Sequence, residues 1–397
     1  MDLQDIQSSP NALARHYSRF RVAERMLLTG HSHQAWPDVG FDAQKRAWLD
    51  AAELVDAKWT RAFEKWERIC RGYAALLGDT EGDITLSANT HDLVVRFLSA
   101  LPLRERPRLV TTDAEFHTIR RQLDRLAEEG LVDVVKVPGY PAGDVAERVA
   151  EAVDDRTAAV LVSAVFFERG VIVRRLAQVA EACARHGAEL LVDAYHALGV
   201  VPFDLTDHGL QQAFVVGGGY KYLQLGEGNC FLRTPPDCAM RPLVTGWFSE
   251  FEELSEGVRP DRVVYGRGSM RFAGATFDPT AHYRGAAVID FFESQGLTPE
   301  FLRVVSRHQV GLLATTFRSL SLDARIVALD DTVGMADRAG FLALDAPDAV
   351  KLSRELLARG VHADARGRHL RFGPAPYLSD AQLVGAMEAL GEVIRGR

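Results

Sequence analysis

A lysine between two tyrosines, Tyr220-Lys221-Tyr222, follows directly on an apolar run that ends in three glycines, Phe214-Val215-Val216-Gly217-Gly218-Gly219. Upstream, Glu189-Leu190-Leu191-Val192 is a second apolar run; it ends in Asp193, and His196 comes three residues later. Both runs have the length and character of strands buried in a parallel sheet, so together they predict an acid, a histidine and an amine delivered to one sheet edge. Pyridoxal phosphate (PLP) catalysis uses these groups together. Lys221 would form a Schiff base with the aldehyde, Asp193 would keep the pyridine nitrogen protonated so that the ring accepts electrons, and His196 would hydrogen-bond the phenolic oxygen. The alternative, that Lys221 and Asp193 are solvated ends of core strands, loses ground to the segments below.

The elements that must position these groups alternate along the chain. Strand-like runs occur at Ile84 to Leu86, Arg108 to Thr111, Val132 to Val137, Ala158 to Ala164, Leu190 to Val192 and Ala213 to Val216, with helical patterns between several of them. This is the rhythm of an α/β fold with a mostly parallel central sheet and crossover helices. Before it, residues 42 to 77 read as long amphipathic helices with Trp48, Trp59, Phe63 and Trp66 as core anchors, and Gly78 as a stop. After about residue 275 the pattern changes: helices over 280–294, 299–320 and 379–394 enclose short strands near 326–329, 340–344 and 370–372. That predicts a smaller α+β C-terminal domain. The expected division is an N-terminal arm (1–45) packing on the small domain, a large PLP-binding domain (46–275) and the small domain (276–397). Leu254 to Pro260 is the most loop-like stretch.

Composition narrows the partners. A net charge of −8 argues against a general nucleic-acid or anionic-membrane binder, and 47% apolar with 25% charged residues suits a globular chain. The acidic start, Met1-Asp2-Leu3-Gln4-Asp5, has no apolar signal core, and no run reaches transmembrane length, so the expected location is cytoplasmic. Cys70, Cys183, Cys230 and Cys238 form no C-x-x-C pair, which predicts neither a metal site nor a disulfide framework.

Over nearly its whole length the chain resembles the kynureninase family, within the class V branch of PLP enzymes of fold type I. The resemblance rests on Asp193-Ala194-Tyr195-His196, Gly219-Tyr220-Lys221-Tyr222 and Leu370-Arg371-Phe372-Gly373-Pro374-Ala375-Pro376-Tyr377. It implies that Asn89 and Thr90, in Leu86-Ser87-Ala88-Asn89-Thr90, hold the cofactor phosphate at a helix N-terminus. It also implies that Phe116 stacks on the ring, with Thr118 nearby, and that Arg371 pairs with the substrate α-carboxylate. Arg366 and Arg368 are rivals for that role in a loop-like, charged stretch. Trp247, in Thr245-Gly246-Trp247-Phe248, and Thr276 would reach a partner's cofactor in a homodimer, and either Tyr220 or Lys221 would be the proton donor.

Three departures from the family concern the substrate. Gly30-His31-Ser32-His33-Gln34 replaces the usual N-terminal signature, Thr276 stands where an asparagine would hold an aryl ketone, and no histidine occurs between His33 and His91. His31 and His33 are either exposed loop residues or side chains that face a different substrate. The implied reaction is hydrolytic Cβ–Cγ cleavage of a γ-oxo amino acid with release of alanine. β-Elimination, including carbon–sulfur lysis, and transamination use the same groups and remain open; a non-catalytic PLP-fold protein would not need the lysine. A cysteine desulfurase would need a C-terminal nucleophilic thiol, and no cysteine follows Cys238.

Overall fold

The structure, a computed structural model, describes residues 1–79, 83–250 and 261–396. Leu254 to Pro260, expected as a loop, lies outside the described residues. Seven strands form the large sheet: β1 (Asp83–Ser87), β2 (Arg108–Thr112), β3 (Asp133–Val137), β4 (Thr157–Ser163), β5 (Glu189–Asp193), β6 (Phe214–Gly218) and β7 (Cys230–Thr234). Their order is β1-β7-β6-β5-β4-β2-β3. The pairs among β2 to β6 are parallel, whereas β7 runs antiparallel to both β1 and β6. The central strands β4 and β6 are buried along their whole length, which is why each reads as an unbroken apolar run. Asp193 is the last residue of β5, and Lys221 lies just past the end of β6 beside it, so both stand at the carboxyl edge where open α/β sheets place their ligands.

A second, antiparallel sheet contains β8 (Ala328–Leu329), β9 (Leu342–Asp345), β10 (Asp364–Arg366) and β11 (His369–Phe372), in the order β8-β9-β11-β10. Helices Pro299–Ser319, Ala349–Leu357 and Asp380–Arg395 accompany it, while Thr280–Gln295 packs against the helices Asp38–Leu54 and Lys58–Leu76. The last starts at a capping box, in which Ser379 and Gln382 satisfy each other's free backbone N–H groups. The N-terminal residues reach this region: Met26–Leu27 pairs in parallel with Val361–His362, and Gly30 N–H donates to the Gly373 carbonyl at 2.8 Å. The Asn11 amide adds bonds to the carbonyls of Pro376 and Leu378. Among the described residues no helix is long and apolar enough to cross a membrane, and no His, Cys, Asp or Glu cluster could hold a metal ion.

The expected helices over 42–77 are Asp38–Leu54 and Lys58–Leu76, and Gly78 ends the second in a left-handed conformation, φ +58°. One anchor needs correction. Trp48 is 79% exposed, because Asp38–Leu54 buries the face that carries Gly40, Ala47 and Asp50, and Trp48 points away from it. The stretch around Arg366, expected to be a loop, is strand β10.

Candidate active site

Lys221 is buried, and its Nζ lies 2.6 Å from His196 Nε2. Three rings surround the amine, with centroids 4.6 Å (Tyr195), 5.2 Å (Phe116) and 5.7 Å (Tyr220) away. The three glycines before it answer to crowding rather than to unusual backbone angles. A Cβ on Gly218 would stand 2.5 Å from Tyr195 Oη and 2.7 Å from Cys230 Sγ, and one on Gly219 would stand 2.5 Å from Leu225. Burial pulls the Lys221 amine down to about 7, although the Asp193 charge opposes the shift. Burial raises Asp193, against a 2.8 Å bond that its Oδ1 accepts from Tyr195 N–H. Burial, with the charges of Lys221, His31 and Arg371, holds His196 well below its ordinary value.

These residues fit PLP. Asp193 is a buried carboxyl at the strand end, and Phe116 lies against the amine. His196 Nδ1 is buried without a hydrogen-bond partner among the described residues, as a group meant for the phenolic oxygen would be. Asn89 caps the Thr90–Ser99 helix, its Oδ1 accepting from Asp92 N–H at 2.9 Å, which places Thr90 at the helix N-terminus. Thr118 stands in the first turn of the His117–Glu128 helix, with Phe116 as its N-cap.

Trp247 and Thr276 are brought together elsewhere. Trp247 Nε1 donates to Thr276 Oγ1 at 3.1 Å, and the indole stacks on Phe248. Thr276 lines a cleft of about 700 Å³ that also runs past Ser87, Ala88 and Asp92, beside the expected phosphate position, without including Lys221.

Arg371 is buried on β11 and engaged on three sides. Its Nε and Nη2 donate to Asp364 at 2.8 and 2.5 Å, and Nη1 donates to the Phe167 carbonyl at 2.6 Å. Three of the five N–H groups of a guanidinium are thus occupied, which leaves one on each terminal nitrogen. Arg368, by contrast, is exposed and paired with Asp345, and Arg366 is exposed at the end of β10. His31 is not an exposed loop residue. It is 1% exposed, 2.8 Å from Asp364 Oδ1, and burial takes it down to about 4, so it is neutral near pH 7. Burial raises Asp364, but bonds from His31 and Arg371 outweigh this and hold its carboxyl well below the usual range. His33 is exposed and stacks on Tyr220 at 5.2 Å and 24°.

Sequence reasoning passed over three contributors. Asp364 joins His31 to Arg371; its signal was the two-residue turn at Gly367-Arg368, which places residue 364 opposite 371. Tyr195 supplies both the N–H on Asp193 and a ring beside Lys221. Glu115 is buried, accepts from Thr112 Oγ1 (2.8 Å), Ser163 Oγ (2.5 Å) and Ser163 N–H (3.2 Å), and is raised by burial to about 7. It ties the turn that carries Phe116 to the end of β4.

Known proteins agree with this architecture. Kynureninase of Burkholderia pseudomallei is 26% identical over 411 residues, covering 93% of this chain and 89% of that protein. An uncharacterized aminotransferase of Bacillus subtilis, YcbU, is 24% identical over 253 residues; the match spans 63% of this chain and 65% of the relative. Among solved structures, a cysteine desulfurase from Thermococcus onnurineus superposes with a TM-score of 0.80 at 16% identity, covering 98% of this chain and 99% of that one. The cystine C–S lyase C-DES superposes with a TM-score of 0.81 at 17% identity, covering 94% and 98%. These likenesses show fold type I. The Aminotransferase class-V family model matches residues 85–297, from β1 through the Lys221 loop and into the Thr280–Gln295 helix, and the chain belongs to that family of PLP-dependent enzymes.

Proposed function

We propose that the protein acts on a free α-amino acid by kynureninase-type hydrolysis, in which water is added across the Cβ–Cγ bond of a γ-oxo substrate to give alanine and a carboxylic acid. The observation that carries this reading is Arg371, a buried guanidinium near Lys221 that keeps one N–H on each terminal nitrogen for a carboxylate. Bound PLP supplies the electron sink for charge that develops at Cα. Arg371 holds the α-carboxylate end-on, while Asp364 and the Phe167 carbonyl fix the guanidinium plane. Lys221, with a pKa near 7, is suited to take a proton from Cα and to return it, and His196 orients the amine across their 2.6 Å contact. Tyr220, pushed by burial to about 12, stays a phenol at neutral pH and can donate the proton that completes the alanine methyl group.

Thr276 stands where an asparagine would hold an aryl ketone, and no histidine occurs between His33 and His91, so the side-chain end differs from what an aryl ketone needs, and kynurenine is a poor substrate in this reading. Exposed apolar residues, Leu243, Val244 and Trp247 together with Trp48 and Leu49, support a homodimer. The proposed division remains an arm (1–45), a large domain (46–275) and a small domain (276–397). The test is to incubate the holoenzyme with a panel of amino acids and identify the products. Alanine supports the reading; pyruvate with ammonia, or an amino-transferred product, overturns it in favour of β-elimination or transamination.

A further inference from the structure

The β10–β11 hairpin carries a second cation in line with Arg371. Cross-strand partners share a face, so Asp364, Arg371, Arg366 and His369 all lie on one side of the hairpin. The bonds from Asp364 to Arg371 and His31 show that this side is turned toward the site. Arg366 lies one β-repeat beyond Asp364, about 6.5–7 Å along the strand, beside the turn at Gly367. Arg368 is matched by Asp345, but the Arg366 side chain makes no hydrogen bond or ion pair with any described residue. Its charge is nevertheless felt within the site. Burial is the larger influence on Lys221, Tyr220 and His117, and Arg366 acts on all three.

We infer that the substrate side chain ends in a second acidic group, received by Arg366 while Arg371 holds the α-carboxylate. This rests on the amino-acid reading of the site. The spacing suits a side chain of glutamate length or longer. Planar N–H donors on an unpaired guanidinium recognise such a group directly.

Calorimetric titration of the holoenzyme with glutarate and with pentanoate, which share a carbon count and differ in one carboxylate, tests the inference without turnover. The expected result at low salt is that glutarate binds about fivefold more tightly, the scale of an exposed charge pair. Arg366→Gln should abolish that preference and leave pentanoate unchanged, while Arg371→Gln should weaken both. Equal affinities that still depend on Arg371, or a preference that survives Arg366→Gln, overturn the second acidic group alone. If neither acid binds, or Arg371→Gln has no effect, the amino-acid reading falls with it.

Discussion

Replacing Asp364 with alanine should move folding and anion binding in opposite directions. Arg371 is 3% exposed, and Asp364 accepts two of its three hydrogen bonds; without that carboxylate only the Phe167 carbonyl remains. Removing one partner of a buried pair costs about 3–5 kcal/mol, because the other charge is left uncompensated. The Asp364 side chain is 22% exposed, so water can reach part of the gap, and the lower end, about 3 kcal/mol, is expected. The freed Nε and Nη2 donors then offer a simple carboxylate a bidentate seat, so pentanoate should bind more tightly to Asp364→Ala than to the wild type. The pH dependence has a definite sign. The folded pKa of Asp364 lies below its unfolded value of about 3.9, so its stabilisation is complete above that value and is lost as pH falls through the lower folded pKa. The gap between wild type and variant should therefore be level at neutral pH and close in strong acid. Urea unfolding across pH, with calorimetric titration of pentanoate, measures both effects. A stability gap under about 1 kcal/mol, the scale of a surface pair, or an unchanged pentanoate affinity, would refute the view that Asp364 is what holds Arg371.

Three further outcomes are expected. Glu115, raised to about 7 from 4.5, stays protonated in the fold while the unfolded chain ionises, so wild-type stability should fall as pH rises between those values. Glu115→Gln should flatten that slope in urea titrations, and an unaltered slope would assign it to another group. Gly373→Ala places a Cβ 2.2 Å from His31 Nδ1 and 2.8 Å from its backbone N, so it should destabilise the fold by about 1–3 kcal/mol; a thermal midpoint equal to wild type would contradict the packing described. Lys221→Ala should bind PLP without covalent attachment and lose turnover, and borohydride reduction of the wild type followed by peptide mapping should mark Lys221 and no other lysine.

Runs that end in chemically useful residues were legible wherever a strand is buried on both faces, as β4, β5 and β6 are, since continuous burial demands continuous apolar sequence. β7 was hidden by Arg233, which is 1% exposed and satisfied by Asp79 and two backbone carbonyls, so a fully buried strand carries a charge one residue from its end. β10 was passed over for a different reason: Val361-His362-Ala363-Asp364-Ala365-Arg366 does alternate apolar and polar, but the strand is three residues long and its apolar position is only an alanine, so charge dominates the reading. The lysine, its acid and its histidine could be read because they sit on neighbouring elements. His31 could not, because its burial depends on a partner 333 residues away. Glu115 reads as a solvated turn acid, and only the placement of Ser163 beside it shows otherwise.

That separation also has a consequence in time. On the ribosome the segment around Gly30 emerges well before Gly373, Val361 and Asp364, which receive it; His31 and Asp364 are 333 residues apart. The large sheet can form as its strands appear, while the histidine and the carboxylate that meet at Arg371 must wait for synthesis to pass both. Assembly of the substrate end therefore cannot precede synthesis of that later segment, and a ribosome-stalled chain that stops short of residue 361 would carry the lysine and its acid without the grip.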